Sequence, residues 1–555
     1  MKKYLIPEIF IFLFSYGFSQ SLIPSQYKIN DSPNNFKTLS PGLRSNGISE
    51  IVLQGDSTVW MGTGRGVSYL EDSLSIFTFD TLFKNNGDYL LLNDAISAIA
   101  THGERILFAG ASGDNLGDFG TGIFYSDRPN LISDTLQVHH MQPMEYSQEP
   151  YILQPIGTGF FNMLPITTHY NNITYDLAVT SNYAWITSWA GGLRRISVDS
   201  LSSENAKWSP MPLPEDHQIE FNTCDATTFD DSLNVIPGYF LNPRDPGSGG
   251  NHNHKGFSVL AYSDTVWVGT ANGINRGIVG GNGCVDWMHY SYQSHNISGN
   301  FVVGLGLQVW NGQRIIWAAT MNADSYGEQR GVSFTTNDGD TWETTLIGER
   351  IYNISATDSA VFASSENGLW KTIIYHPDDP VVWALYNPMV EQNEYYDREI
   401  LTNVVYTAVL DDRAYYPNST LWVGTPDGMA RLLNPNENAW DIYQVETDQN
   451  VVFAYPNPFS PSGDNVVNGD GYIRFSTGQN PVGRAKMSVY NFAMEKVLSR
   501  WYDRNIDGGE LKWDGKDNSG YLVANGVYFV NLEVFNYLYP DRGLQDHWIK
   551  VIIVK

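Results

Sequence analysis

The sequence predicts an all-β fold: a seven-bladed β-propeller followed by a small β-sandwich. Three observations lead there. A strand–turn–strand pattern recurs seven times between residues 48 and 445. Aromatic residues reach 14%, with 51 Gly and 26 Pro, the composition of many strands joined by many turns. The last hundred residues drop the repeat yet keep the two-residue strand period. A length of 555 residues suits two or three domains. With 42% hydrophobic residues the chain can build cores, so wholesale disorder is excluded. The net charge of −27 argues against nucleic acid as a partner, because phosphate binding needs a basic footprint.

The first element is an address. Lys2 and Lys3 precede a short apolar run at 9–14, and Gly17 and Ser19 are small residues ahead of Gln20. This predicts a secretory leader over 1–19, cleaved near Ser19, and a lead-in segment over 20–47. The run falls far short of the ~20 apolar residues of a membrane span. No later stretch is long and apolar enough, so no transmembrane segment is expected. Cys224 and Cys284 are the only cysteines. In an oxidising compartment they form one disulfide or stay as two buried thiols.

The body, 48–450, is the repeat. Its copies are VWMGTGRGVSYL at 59–70, LFAGASGDNLGDFGTGIFYS at 107–126, AWITSWAGGLRRI at 184–196 and VWVGTANGINRG at 266–277. IWAATMNADSYGEQRGVSF at 316–334, VFASSENGLWKT at 361–372 and LWVGTPDGMARL at 421–432 complete the set. A short apolar strand precedes most copies, as at 48–51, 96–99, 257–260 and 354–356, and an aromatic strand follows several, as at 76–79 and 440–443. Four strands repeated seven times describe a propeller. The average of about 57 residues per unit exceeds the ~40–45 of a compact blade, so the surplus sits in loops. Gly62, Gly269 and Gly424 are expected where a side chain would clash, and Gly66, Gly273 and Gly428 where the turn needs a positive φ.

The WxGTxxG signature resembles the two-component-regulator propeller repeat of bacterial periplasmic sensors and secreted proteins. No kinase or receiver motif accompanies it. TTNDGDTW at 335–342 resembles the Asp-box of sialidase-type (BNR) propellers, with Thr335 and Asn337 departing from the pattern. The resemblance implies a structural hairpin there, capped by Asn and Asp side chains, with Gly339 in the turn and Trp342 packed beneath.

The closing element is 451–555. It carries YPNPFSP at 455–461 (Tyr455, Pro456, Asn457, Pro458 and Phe459 foremost), WDGKDNSG at 513–520, NGVYFVNLEV at 525–534 and KVIIVK at 550–555. Their order and position resemble the C-terminal sorting domain of type IX secretion cargo, of the FlgD-like Ig type. The motif residues include Trp513, Asp514, Gly515, Gly520, Gly526, Val527 and Tyr528. The resemblance implies a small Ig-like β-sandwich, the type IX machinery as partner, and delivery through the periplasm to the outer-membrane surface or the medium.

Function is expected on the face that gathers the longest loops, because loops vary while blades are scaffold. Extended connections are expected at 111–121, 320–330, 242–255 and 386–396, and an insertion over 128–171. Candidate ligand-binding residues are Asp114, Asp118, Asp324, Tyr326, Glu328, Arg330, Tyr395 and Tyr396. Carboxylate pairs suit glycoside chemistry, and aromatic pairs such as Tyr415 and Tyr416 suit stacking on sugars. His252 with His254, and His139 with His140, have the spacing of a strand-edge metal pair, but a Gly-rich loop is a poor preorganised site and no metal is assigned. No cofactor is assigned. Ca2+ is the one candidate ion, at Asp464, Asn465, Asn468 and Asp470. The leading function is a non-catalytic exported scaffold for a protein or glycan ligand. The alternatives are a secreted glycoside hydrolase or lyase and an accessory propeller of the secretion machinery, for which the chain is short. Convergent buried carboxylates at the channel mouth separate an enzyme from a scaffold.

Overall fold

The computed structural model describes residues 42–555, except 71–76, 79–81, 84–88, 91–93, 128–135, 138, 144–145, 158, 171, 204–205, 230–234, 324–325, 375–379, 387–399, 401, 415–418, 433–439, 446–451, 463–470, 477–483, 504–510 and 536–544. The leader and its cleavage site, most of the lead-in, Asp324, Tyr395, Tyr396, Tyr415, Tyr416 and the Ca2+ candidates lie outside the described residues.

The described body is a β-propeller. Seven antiparallel sheets follow one another along the chain, with strands added in sequence order from the axis outwards. Their first strands are Ile48–Gln54, Ala95–His102, Thr174–Val179, Gly256–Tyr262, Phe301–Trp310, Ile351–Ala356 and Thr407–Asp411. Each touches the next, and the seventh touches the first, so the ring closes. At the seam, Arg413 pairs with Asp411 at 2.7 Å and donates to the carbonyls of Gln54 and Thr58 at 2.9 and 3.0 Å. Asn46 accepts from the amides of Gly428 and Val445 through its carbonyl and side chain.

The recurrent motif is the second and third strands of each sheet. Trp60, Trp185, Trp267, Trp317 and Trp422 hold matching positions on the second strands, and each is at most 1% exposed. A Cβ on Gly269 would lie 2.5 Å from the Val302 carbonyl, and one on Gly424 would lie 2.8 Å from the Ile48 side chain. The glycines therefore let neighbouring sheets approach, as the motif predicts. Gly66, Gly273 and Gly428 have φ of 93°, 110° and 126°. The Thr of the GT pair closes the same turn: the hydroxyls of Thr63, Thr270 and Thr425 donate to the carbonyls of Gly66, Gly273 and Gly428 at 2.8, 3.1 and 2.8 Å. The hairpin at 335–342 is capped likewise, with Gly339 N donating to Thr335 Oγ1 at 2.9 Å and Trp342 buried.

Two expectations are corrected. The stretch 111–121 is not an extended loop. Strands Arg105–Asp114 and Gly117–Ser126 pair through it, with Ala111 opposite Gly120 and Asp114 opposite Gly117, because small and polar residues keep the ladder going until Asn115-Leu116 turns it. The expected insertion 128–171 also contains the fourth strand of the second sheet, His139–Met141. The remainder gives strand Ile152–Ile156, which pairs with Gly159–Met163, and the latter pairs in turn with Phe240–Leu241 from a second insertion between the third and fourth sheets. That insertion supplies a fifth strand, Glu220–Asn222, to the fourth sheet. Cys224 is disulfide-bonded to Cys284 with Cα atoms 5.6 Å apart, tying the insertion to that sheet's edge.

The C-terminal residues form two sheets, one of three strands and one of four, around a single apolar core that includes Phe459, Phe475, Met487, Trp513, Val530 and Val551. The 455–461 segment is stitched to the last strand, Gln545–Ile553. Asn457 Nδ2 donates to the Lys550 carbonyl at 2.8 Å, and the amide of Ile552 donates to Asn457 Oδ1 at 2.9 Å. Phe459 lies 1% exposed with its ring 5.9 Å from that of Trp513. Gly515 and Gly520 take positive φ, and Gly526 opens the strand Gly526–Phe535, which places Val527 and Tyr528 at its start.

Candidate functional site

The first strands ring the axis, and their outward hydrogen bonds go to the second strands. Facing the axis, their backbone groups have no ladder. Six of them carry a one-residue bulge at the same level, leaving Ser49, Ser97, Tyr175, Phe257, Val303 and Tyr352 without a strand partner. Register sets that level beside the turn between second and third strands, since Ile48 pairs with Thr63 and Ile351 with Ser365.

These residues line a channel of about 290 Å³ that draws on all seven sheets. Its upper ring includes Ser49, Ser97, Tyr175, Phe257, Tyr352 and Tyr406. One residue further along two of the strands stand Glu50 and Asp176. Each carboxylate satisfies the backbone of the next first strand. Glu50 Oε2 accepts from the Ile99 amide at 2.6 Å, and Asp176 Oδ2 accepts from the Val259 amide at 2.7 Å. Asp176 Oδ1 also accepts from the Leu177 amide at 2.8 Å. Serines do the same for carbonyls: Ser49 Oγ donates to Ile96 O at 2.6 Å and Ser258 Oγ to Val302 O at 3.0 Å.

No cationic side chain among the described residues pairs with either carboxylate. Burial, then the charge of Asp176, hold the Glu50 carboxyl well above the usual carboxylate range. Burial pushes Asp176 up to about 7, against its two backbone donors. Sequence reading passed over both residues. The available signal was an acid in the middle of an otherwise apolar first strand, in ISEI and in TYDLAV.

The two sides of the mouth differ. On one side aromatic rings cluster: Tyr175 lies 5.7 Å from Phe257, which lies 5.6 Å from both Trp189 and Phe301. On the other, Tyr352 meets Tyr406 edge-on at 5.6 Å, with the Arg350 guanidinium 5.3 Å above the Tyr352 ring. Arg330 pairs there with Glu366 at 3.2 Å. Burial pushes Tyr352 and Glu366 up, Arg330 and Arg350 oppose the shift, and Glu349 adds to it.

The candidate residues are dispersed. Arg330 stands at this mouth. Asp118 lies close enough to Tyr175 to help burial push the tyrosine hydroxyl up. Asp114 is exposed and held below its usual range, chiefly by the Leu116 amide and then the Tyr170 hydroxyl. Glu328 staples its own loop, accepting from Asn300 Nδ2 at 3.0 Å and from the Ala323 amide. Tyr326 is fully exposed. His254 is buried against Gly192 and is depressed to about 3 by burial first and Lys255 second. His139 stacks on Tyr125, and His140 lies tilted against Phe124. Among the described residues no cluster of three metal-type ligands occurs.

No family model matches the chain, and no curated protein matches it. Among solved structures it is similar to PorZ, a surface component of the type IX secretion system of Porphyromonas gingivalis, at 12% identity, 92% of this chain, 87% of that chain and a TM-score of 0.21. It is also similar to the extracellular domain of BT4673 from B. thetaiotaomicron, at 13% identity, 94% and 82% coverage and a TM-score of 0.20. YCF48 from Cyanidioschyzon merolae aligns at 12% identity, 72% and 99% coverage and a TM-score of 0.38. Among the described residues no helix is long and apolar enough to cross a membrane.

Proposed function

We propose that the chain is an exported, surface-bound or secreted scaffold: a seven-bladed propeller over 48–450 whose channel mouth receives a ligand, and an Ig-like type IX sorting domain over 451–555 that delivers it. The observation that carries the binding reading is the channel of about 290 Å³, aromatic at the mouth and carboxylate-lined within. This is near the lower bound of ordinary ligand pockets, and its lining mixes apolar and polar side chains. The Cys224–Cys284 disulfide suits an exported protein.

One observation favours the enzymatic alternative, namely that two partly buried carboxyls line the channel with raised pKa values. Their arrangement still fits a scaffold better. Glycoside hydrolysis needs environments that push two carboxyls apart, one kept protonated and one ionised. Here both are pushed the same way, and both hold neighbouring strands by their backbone amides.

The test is array binding of the full chain to glycans and peptides beside the double variant Tyr352→Ala/Tyr406→Ala, with circular dichroism to confirm folding. Ligands of the wild type are expected to be lost in the variant. A ligand fully retained by a folded variant places the site elsewhere. Turnover of aryl glycosides abolished by Glu50→Gln would establish the enzyme instead.

A further inference from the structure

We propose that the channel seats a primary alkylammonium group presented by a peptide, with its methylene stem in the aromatic throat and its charge against Glu50 and Asp176. The proposal rests on the channel-mouth reading above and names the ligand chemistry.

Three features point to this group. The carboxylates are an uncompensated pair: no cation among the described residues meets them, and Glu50 keeps its second oxygen, Oε1, without a hydrogen bond among those residues. Two facing carboxyls in low dielectric repel, and a cation between them relieves both the repulsion and the desolvation. The approach is walled by Tyr175, Phe257, Tyr352 and Tyr406, and the π faces of such rings favour a cation over a neutral head group. Beside the carboxylates the lining includes Ile51, Leu177, Val259, Leu305 and Ile354, an apolar wall against which methylenes can lie. The small volume accepts a stem and head group.

The ammonium can come from a lysine side chain or from a free peptide N-terminus. Binding must displace a proton from the carboxyl pair, so affinity rises with pH while the amine stays charged. The groups that share this field are Glu50, Asp176 and the hydroxyls of Tyr175, Tyr352 and Tyr406 within. At the rim they are Asp118, Arg330, Glu349, Arg350 and Glu366.

The experiment is calorimetric titration of the full chain with n-butylammonium, its neutral isostere n-butanol, and Ca2+. Two short peptides follow, one with a lysine and a blocked N-terminus, one with a free N-terminus and no lysine. Saturable butylammonium binding is expected, strengthening between about pH 6 and about pH 8, with no response to butanol. Glu50→Gln keeps an acceptor for the Ile99 amide and is expected to weaken binding by about tenfold or more. Whichever peptide binds identifies the source. Absence of binding by every ammonium probe, binding of Ca2+ alone, or ammonium binding unchanged in both Glu50→Gln and Asp176→Asn overturns the proposal. An array ligand lost in the tyrosine double variant but indifferent to ammonium chemistry would sink this inference and leave the scaffold reading intact.

Discussion

The second and the first strands of the propeller sheets obey opposite rules. Second strands repeat: a tryptophan or phenylalanine recurs from sheet to sheet, and in five sheets a Thr or Ser hydroxyl closes the turn, all of them buried between neighbours. First strands diverge: at the bulge the ring reads Ser49, Ser97, Tyr175, Phe257, Val303 and Tyr352, and the next residues include Glu50, Gly304 and Asp176. The two strands are hydrogen-bonded partners in the same sheet, so secondary structure is not what separates them. Packing is. A second strand is enclosed by two sheets and admits one solution, whereas a first strand faces a channel and is free to take a chemistry of its own.

The sharpest way to break this contrast is to truncate one residue of each kind. Trp267 is fully buried, donates to the Tyr262 hydroxyl at 3.1 Å and meets Trp342 edge-on at 6.2 Å. Trp267→Ala is expected to cost about 3–5 kcal/mol in chemical denaturation. Tyr352→Ala, at the half-buried bulge, is expected to cost far less. Equal losses would mean that the channel wall is scaffold after all.

A smaller effect tests the same enclosure without removing contacts. Gly269→Ala introduces a Cβ 2.2 Å from Ser258 Oγ and 2.5 Å from the Val302 carbonyl of the next sheet. The sheets must shift, at a cost of about 1–3 kcal/mol. Thermal unfolding of Gly269→Ala beside Gly55→Ala separates enclosure from backbone preference. Gly55, unlike Gly269, has a positive φ, of 56°, and its Cβ would meet nothing within 4 Å.

This contrast also explains what was legible in the sequence. The hairpins, their glycines and the stitched 455–461 segment follow from local pattern, because a tight turn or a forbidden Cβ leaves its mark within a few residues. The hairpin extension through 111–121 is not legible as strand because glycines serve ladders and turns alike. The channel pair was hidden for a different reason. Glu50 and Asp176 lie 126 positions apart and meet only because the ring closes, so no spacing announces them. The seam is equally non-local, joining Arg413 to the carbonyls of Gln54 and Thr58.

The carboxyl pair gives the channel a pH signature that the second strands lack. Both carboxyls titrate higher in the folded state than in the unfolded chain, where an aspartate releases its proton near pH ~4. Between that pH and about 7 the folded state holds more protons, so stability falls as pH rises through this window. Below it both states are protonated and the cost is absent. Glu50→Gln removes one titrating group, so its stability relative to wild type is expected to increase between about pH 5 and about pH 8. Denaturant midpoints across that range measure it, and parallel curves would show that the pair ionises freely.

The smallest expected effect lies at the rim, where Arg330 and Glu366 are partly exposed. An ion pair of this kind contributes no more than about 1 kcal/mol, so Arg330→Gln should barely move the unfolding midpoint. Its consequence is local. Burial already holds the Glu366 carboxyl above the usual range, and Arg330 is the largest influence drawing it back. Without the guanidinium the carboxyl is expected to titrate still higher, which carboxyl-carbon NMR resolves directly. A titration that does not move would show that Arg330 swings into solvent, so that on this side only the tyrosines define the mouth.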